Sequence, residues 1–158
     1  MTHYALHSSP LGELVLTMNS GQLTGLWMEG EKHCPPIDSD WQKNASPFSQ
    51  VRKQLDEYFS GKRKIFSLDS FTEGTAFQHA VWQQLTKITY GTTASYASIA
   101  AVIGNHRATR AVGTANGKNP ICIIIPCHRV IAANGAIAGY SGGITNKKWL
   151  LNHEAAHR

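Results

Sequence analysis

The sequence feature that most constrains the fold is an apolar run at residues 121–125 that ends at Pro126 and Cys127. Proline has no N–H to donate and cannot stand inside a central strand, so a strand formed by this run must end where the thiol appears. An imidazole and a guanidinium follow directly, in His128 and Arg129. The pattern therefore predicts a buried strand that delivers a cysteine to a turn or a pocket wall.

The chemistry predicted for this stretch is that of a nucleophilic cysteine. A free cysteine has a pKa of about 8.5, so a nearby base or cation is needed to raise its thiolate fraction. Neighbours on an extended backbone point to opposite sides, so His128 touches Cys127 only if the chain turns there, and otherwise a water bridges them. Glu154 is the candidate carboxylate behind the imidazole. The alternative is that Cys127 is one more buried small hydrophobe.

The cysteine count does not suit a disulfide framework. Three cysteines are an odd number, which favours a reducing compartment, and no apolar stretch approaches the roughly 18 residues of a membrane helix. In an extended strand Cys122 and Cys127 would lie on opposite faces, roughly 17 Å apart, unless the strand breaks. His33 and Cys34 lack a second ligand pair at a useful spacing. We expect no metal, and a location in the cytoplasm or the nucleoid.

Positive charge is concentrated in the second half of the chain. Residues 1–72 hold seven Lys and Arg against eight Asp and Glu, a net charge of −1. Residues 73–158 hold eight Lys and Arg against two acids, a net charge of +6. This balance predicts that the second half faces a polyanion, with nucleic acid as the leading candidate and a solvated basic surface as the alternative. We place the domain boundary near residue 72, between an N-terminal α/β domain and a C-terminal domain.

The first half is predicted to form a small antiparallel sheet with one helix. Strand-like runs before residue 29 are separated by Gly, Pro and Asn, as in a meander, and residues 29–45 read as a loop. Ser46 and Pro47 form a helix start, and apolar residues at helical spacing follow until Gly61.

The second half contains the signature of a helix-turn-helix. Thr75 and Gln78 have the form of a capping box at the start of a helix. Ser95 caps a short helix, and a second short helix begins near Arg107 after a turn that contains Gly104. Two short helices joined by such a turn are typical of DNA-binding domains.

The second of these short helices carries an arginine among small residues. Ala111, Gly113 and Thr114 leave little bulk around Arg110, so the helix can approach a narrow groove while one guanidinium reaches in. A helix pair that needs small residues for its own packing is the alternative. We place Ala111 on the buried face, beside Val112.

The motifs of the second half resemble those of the O6-alkylguanine-DNA alkyltransferases, the methylated-DNA–protein-cysteine methyltransferases. The resemblance runs from about residue 71 to 154, and the segments that carry it include Thr75-Ala76-Phe77-Gln78, Tyr90-Gly91, Ser95-Tyr96, Arg110-Ala111-Val112-Gly113, Asn119-Pro120, Pro126-Cys127-His128-Arg129-Val130 and Gly139-Tyr140-Ser141-Gly142-Gly143. The first seventy residues fit more loosely, Thr89 stands where the family has proline, and the cysteine pattern of the human relative's N-terminal zinc site is missing.

The resemblance implies an α+β protein with a ribonuclease H-like N-terminal domain, a small antiparallel sheet with a helix. It implies a mostly helical, winged helix-turn-helix domain that binds DNA and carries the chemistry. Such proteins bind the minor groove of double-stranded DNA, flip out O6-alkylguanine or O4-alkylthymine, and transfer the alkyl group irreversibly to their cysteine in a single turnover. No cofactor is implied, and we expect a monomer that can load cooperatively on DNA.

By the same resemblance, Cys127 is the alkyl acceptor, His128 is its base through a water, and Glu154 orients His128. Arg110 fills the space left by the flipped base. Tyr96 contacts the DNA near the 3′ phosphate and the base, and Asn119 braces the turn between the recognition helix and the cysteine. Tyr140, Ser141 and Val130 line the guanine pocket. Ala111, Gly113 and Thr114 contact DNA.

Two other function classes fit parts of this pattern. A Cys-His hydrolase would share the trio of cysteine, histidine and carboxylate, but it would need neither a helix-turn-helix nor the charge asymmetry. A non-enzymatic lesion-binding protein of the same fold would lack the acceptor cysteine, which this chain keeps as Cys127. Exposure to methylated DNA separates these classes.

Overall fold

The chain forms a four-stranded sheet followed by a mostly helical half in the part that the computed structural model describes, residues 1–137 and 139–158. The strands are β1 (Thr2–Ser9), β2 (Gly12–Asn19), β3 (Gln22–Met28), β4 (Gln42–Lys43), β5 (Ala94–Ser95) and β6 (Val130–Ile131). The α-helices are α1 (Ser49–Phe59), α2 (Ala76–Leu85), α3 (Tyr96–Val102), α4 (Thr109–Gly117) and α5 (Ile144–Ala156), and short 3₁₀ turns span Ser46–Phe48, His106–Ala108 and Cys127–Arg129.

The N-terminal sheet is the predicted meander with one additional edge strand. β1 and β2 pair antiparallel, as do β2 and β3, and the two connections contain Gly12 and Gly21 at φ values of 93° and 77° that favour glycine. The short strand β4 pairs parallel to β1, so the expectation that residues 29–45 are loop throughout is wrong at Gln42 and Lys43. The sheet order is β3-β2-β1-β4.

Helix α1 covers the sheet through its apolar face. Phe48, Val51, Leu55 and Tyr58 are buried in the core, as the helical spacing predicted. Pro47 lies in the 3₁₀ turn that precedes the helix, where its missing N–H costs no hydrogen bond.

The helix starts predicted for the second half are confirmed. Thr75 Oγ1 accepts the Gln78 N–H at 3.1 Å, and Gln78 Oε1 accepts the Thr75 N–H at 2.9 Å, which completes the capping box. Ser95 Oγ accepts the Ser98 N–H at 3.0 Å at the start of α3. Helices α3 and α4 form the helix-turn-helix, and the Trp82 indole of α2 donates to a backbone carbonyl of α4 at 2.9 Å.

The predicted strand at residues 121–125 is wrong, because the chain folds into consecutive tight turns there. Ile123 has a φ of 72°, and the Ile124 N–H donates to the Cys122 carbonyl across it at 2.8 Å. The Ile125 N–H donates to the Ile121 carbonyl at 3.0 Å, so the amides of Ile124 and Ile125 are satisfied locally rather than by a sheet. Burial of the apolar side chains is what holds a β-branched residue in this disfavoured conformation.

The two halves pack against each other around one hydrophobic core. The Leu26 N–H donates to the Pro120 carbonyl at 2.8 Å and the Cys122 N–H donates to the Leu26 carbonyl at 3.1 Å, which joins β3 to the turn segment. The core cluster contains residues of both halves. The division at residue 72 therefore stays a prediction, whereas the α+β class is confirmed.

None of the helices within residues 1–137 and 139–158 has the length and apolar character needed to span a membrane.

Candidate active site

Asn119 joins the two ends of the turn that precedes Cys127, the predicted acceptor. Its Nδ2 donates to the Ile125 carbonyl at 2.7 Å, and its Oδ1 accepts the Ile121 N–H at 3.0 Å. Both bonds are buried, so they are strong relative to the same bonds in water. This is the position expected for the turn-bracing residue, and the side chain fixes where Cys127 begins its 3₁₀ turn.

Cys127 is a buried thiol whose neighbours favour its charged form. The neighbouring Cys122 thiol lowers the pKa of Cys127, and the Asn119 amide and the positive charge of Lys147 act in the same direction, against burial and the charge of Glu31. Only 1% of Cys127 is exposed. The two thiols are neighbours because the segment between them turns back, so the expected separation of roughly 17 Å on opposite faces is wrong.

His128 is paired with Glu154 deep inside the protein. Its Nε2 lies 2.7 Å from Glu154 Oε2, which sets Nε2 as the protonated nitrogen beside the ionised carboxylate. Nδ1 is buried without a hydrogen-bond partner in the part of the chain that the structure describes. Burial lowers the pKa of His128, although the carboxylate works against this effect. A neutral imidazole with an acceptor nitrogen can take up a proton.

Glu154 is the centre of a buried network. Besides His128, its oxygens accept hydrogen bonds from Arg129 Nε at 2.8 Å, from Arg129 Nη2 at 3.0 Å and from the Tyr58 hydroxyl at 2.7 Å. Burial alone would raise its pKa, but the hydrogen bonds from His128 and Arg129 hold the pKa of Glu154 well below its usual range. The Gly91 N–H also donates to Oε1, at 3.4 Å. The carboxylate is therefore ionised and its orientation is fixed by five donor atoms.

Two members of this network were not assigned by sequence reasoning. Arg129 stands beside His128 in the sequence, and a cation next to a candidate base is a signal that it pairs with the same carboxylate. Tyr58 carried no such signal, because it lies 96 residues from Glu154 and its apolar spacing in α1 indicated only core packing. Burial and the Glu154 charge raise the pKa of the Tyr58 phenol, so it stays a hydrogen-bond donor.

Lys147 of α5 is a further residue that the sequence did not single out. It is buried, and burial lowers its pKa to about 8. Its Nζ donates to the Val130 carbonyl at 2.5 Å and lies 3.5 Å from the Tyr96 hydroxyl. Tyr96 stands beside α4, since a Cβ on Gly113 would be 3.9 Å from its ring. The lysine thus connects a predicted pocket residue to a residue at the predicted DNA face.

The remaining predicted pocket residues lie on the glycine-rich loop before α5. Tyr140 is largely removed from solvent, and burial raises its pKa well above its usual value, with the thiols of Cys122 and Cys127 adding to the effect. Ser141 Oγ lies 3.3 Å from Glu31 Oε1, a carboxylate of the N-terminal half. The loop is therefore next to the two cysteines on one side and to the N-terminal half on the other.

Helix α4 presents the predicted DNA-reading residues to solvent. Arg110 and Thr114 are exposed, and the Arg110 guanidinium forms no hydrogen bond or ion pair with any residue in the described ranges. Val112 is buried, but Ala111 is exposed, so its placement on the buried face is wrong while its place beside Arg110 suits a DNA contact. An uncompensated guanidinium among small side chains is suited to a phosphate-lined groove.

No group of three or more His, Cys, Asp or Glu residues within 1–137 and 139–158 is arranged to hold a metal ion. The structure therefore offers no partner ligands for His33 and Cys34 among these residues.

Comparison with known proteins covers both halves of the chain. Residues 76–156 match the DNA binding domain of 6-O-methylguanine DNA methyltransferase, and residues 2–69 match its ribonuclease-like domain. A methylated-DNA–protein-cysteine methyltransferase of Methanosarcina acetivorans is 44% identical over an alignment of 158 positions that covers 98% of this chain and 99% of the relative. The constitutive enzyme of that name from Bacillus subtilis is 42% identical, over 98% of this chain and 96% of the relative.

Solved structures are similar to this chain over nearly its full length. The crystal structure of Mycobacterium tuberculosis OGT in complex with DNA superposes with a TM-score of 0.93 at 43% identity, covering 98% of this chain and 94% of that chain. The O6-methylguanine-DNA methyltransferase of Pyrococcus kodakaraensis superposes with a TM-score of 0.66 at 26% identity, over 98% and 99% of the two chains. The resemblance and the ribonuclease-like and DNA-binding halves are confirmed. The chain belongs to the 6-O-methylguanine DNA methyltransferase family.

Proposed function

We propose that this protein repairs DNA by direct reversal, as a methylated-DNA–protein-cysteine S-methyltransferase that moves the alkyl group of O6-alkylguanine, or of O4-alkylthymine, to Cys127. The observation that carries the proposal is the surroundings of that thiol. It is buried, its pKa is lowered by Cys122, Asn119 and Lys147, and it is followed by an imidazole that is held by an ionised carboxylate. The names of the relatives and the OGT–DNA complex support DNA as the substrate.

The transfer is a displacement at the alkyl carbon. The proton of Cys127 passes through a water to Nδ1 of His128, whose Nε2–H is already held by Glu154. The thiolate attacks the alkyl carbon, the sulfur–carbon bond forms, and the bond from that carbon to O6 breaks with its electron pair left on the base. The proton that His128 gained then passes to the nucleobase, so that both groups end neutral. The ionised Glu154 stabilises the imidazolium that forms.

The product explains a single turnover. A thioether on Cys127 is stable in water, and the proposed mechanism assigns no second nucleophile to remove the alkyl group. No cofactor enters, because the electrophilic carbon arrives on the DNA. Each molecule therefore repairs one lesion.

Access to the lesion is assigned to α4 and to the glycine-rich loop of residues 139–143, which we call the pocket loop. The exposed helix face of Arg110, Ala111, Gly113 and Thr114 enters the minor groove, and Arg110 takes the space of the flipped nucleotide. Flipping costs a few kcal/mol, and less for a mispaired lesion, which favours damaged sites. Tyr96 crowds the 3′ phosphate. The flipped base then lies against Tyr140, Ser141 and Val130, and Asn119 keeps the acceptor turn in place.

The test is the mass of the intact protein after exposure to duplex DNA that contains O6-methylguanine. One methyl group gained per molecule, located on Cys127 and equal in moles to the methyl lost from the DNA, is the expected result. Cys127→Ser is expected to lose transfer while its DNA affinity stays within about twofold. Continued turnover with an unmodified thiol would indicate a Cys-His hydrolase, and tight binding without any loss of methyl would indicate a lesion binder.

The same proposal assigns a monomer that loads cooperatively on double-stranded DNA, and a place of action in the nucleoid. A retained oligomer without DNA in sedimentation equilibrium would contradict the assignment. Domain limits of 1–72 and 73–158 belong to this proposal as well. Limited proteolysis that cuts near residue 72 is the expected outcome.

A further inference from the structure

Glu31 is a buried carboxylate of the N-terminal half that reaches the pocket loop. It follows β3 and is 9% exposed. Its Oε2 accepts the Met28 N–H at 2.9 Å, and its Oε1 lies 3.3 Å from Ser141 Oγ and 4.0 Å from the Cys122 thiol. One side chain therefore contacts both the loop that is proposed to hold the base and the thiol that lies beside the acceptor.

The end of β3 and the pocket loop are also in close packing contact. A Cβ on Gly142 would lie 2.3 Å from Met28 Sδ and 2.8 Å from the Tyr140 ring, so only glycine fits between strand and loop. Asn146 closes the same contact from α5, since its Nδ2 donates to the Gly142 carbonyl at 2.8 Å and lies 3.5 Å from Met28 Sδ. The loop is thus held against the N-terminal half by side-chain packing and by hydrogen bonds.

The chemical setting of Glu31 differs from that of an ordinary structural ion pair. Within the described residues it forms no ion pair with Lys, Arg or His, and its partners are an amide, a hydroxyl and a thiol. A carboxylate that is buried without a cation is costly to the fold. The contacts of Glu31 offset this cost, and one of them is the contact with Ser141 of the pocket loop.

We propose that Glu31 is a positioning residue that holds residues 139–143, through Ser141, in the geometry that brings the alkyl carbon of the flipped base to the Cys127 thiol. The inference rests on the function proposed above. The N-terminal half then takes part in the reaction step, although the acceptor, base and DNA-reading helix all belong to the C-terminal half.

The experiment is single-turnover transfer from O6-methylguanine duplex DNA by full-length Glu31→Ala, Glu31→Gln and Ser141→Ala. Glu31→Ala is expected to lower the saturating rate about tenfold, as for a lost hydrogen bond to a charged group, and to leave the half-saturating DNA concentration unchanged. Glu31→Gln is expected to stay within about threefold of wild type, because the amide oxygen can accept the Met28 N–H while its NH₂ donates to the Ser141 hydroxyl.

Ser141→Ala removes the same contact from the loop side and guards against a Glu31→Ala variant that does not fold. It is expected to lower the saturating rate and to leave the half-saturating DNA concentration unchanged, as Glu31→Ala does. The variant that carries both substitutions should lower the rate no more than either single substitution. Glu29→Ala is the matched control, because Glu29 is an exposed carboxylate two positions away. Its transfer rate is expected to equal that of wild type.

Alkylation of Cys127 by iodoacetamide separates loop positioning from thiol reactivity. The inference is overturned if Glu31→Ala transfers as fast as wild type, if Glu31→Gln loses as much as Glu31→Ala, or if iodoacetamide and DNA rates change by the same factor. Wild-type protein that is labelled by iodoacetamide but takes no methyl group from DNA would overturn the proposed function and this inference with it. A normal wild-type rate with unchanged variants would overturn the inference alone.

Discussion

Glu154 and Glu31 are both buried carboxylates of the candidate active site, but their partners give them opposite electrostatics. Glu154 faces the Arg129 guanidinium and the His128 imidazole, and its pKa is held well below the usual range. Among the residues that the structure describes, Glu31 has only neutral donors, and burial raises its pKa. Burial by itself therefore does not decide whether a carboxylate is charged, and the number of cationic donors does.

The difference assigns the two carboxylates to different tasks. Glu154 supplies a fixed negative charge, which a base that must become positive requires. Glu31 supplies acceptor oxygens to the loop at the pocket, and a strong negative charge at that position would oppose thiolate formation at Cys127, since the Glu31 charge raises that pKa. Four substitutions test this contrast.

The largest effect is expected from Glu154→Gln. It leaves Arg129 buried without its counter-charge, and removal of one partner of a buried pair costs about 3–5 kcal/mol of the free energy of unfolding. Because the folded-state pKa of Glu154 is lowered, the wild-type advantage is complete above about pH 5 and shrinks as the pH falls below the unfolded value of about 4.3. Urea denaturation of wild type and variant between pH 3 and 7 measures the loss of stability and its dependence on pH. A loss that is the same at every pH would contradict a negative charge on Glu154.

Tyr58→Phe is expected to have the next largest effect. It removes the 2.7 Å hydrogen bond to Glu154 but keeps the ring packed between the two halves. We expect a loss of about 1–2 kcal/mol in stability, as for one hydrogen bond to a charged group. Phe59→Tyr, at a half-buried neighbour, is the comparison variant, and the unfolding midpoint in urea is the measurement. Equal stability of wild type and Tyr58→Phe would mean that the Tyr58 hydroxyl does not stabilise the network around Glu154.

Glu31→Gln is expected to change stability slightly and with the opposite dependence on pH. The folded-state pKa of Glu31 is raised, so the wild type loses stability as the pH rises from the unfolded value of about 4.3 through the folded one. The variant is expected to be more stable than wild type at pH 7 by about 1 kcal/mol or less, with no difference below about pH 4. If the stability of the variant relative to wild type were lower at pH 7 than at pH 4, Glu31 would behave like Glu154 and the contrast would be wrong.

Arg110→Ala is expected to have the smallest effect on folding. Its exposed guanidinium has no partner among the described residues, in contrast to buried Arg129, so the free energy of unfolding should change by less than about 0.5 kcal/mol. Repair of duplex DNA should slow much more than transfer from the free modified base, because only the duplex requires base flipping. Equal slowing on both substrates would exclude the flipping role.

Local features of the fold were predictable because short segments encode them. The capping box of Thr75 and Gln78 needs only two side chains three positions apart. The strands before residue 29 and the two helices of the helix-turn-helix follow from spacing and from Gly and Asn at their ends. The error at residues 121–125 arose because an apolar run indicates burial but not conformation. Besides burial, the turn is favoured by two hydrogen bonds of the Asn119 side chain, one accepted from the Ile121 N–H and one donated to the Ile125 carbonyl.

The sequence alone determined the class of the protein, and it singled out the cysteine that is proposed as the acceptor, its neighbouring histidine and the helix that is proposed to read DNA, since each of these is a pattern of residues near one another in the chain. Only the tertiary structure decided what surrounds the thiol. The Tyr58–Glu154 bond spans 96 positions and the Glu31–Ser141 contact spans 110 positions. No local propensity encodes such pairs, because they form only when packing of the two halves removes both partners from water.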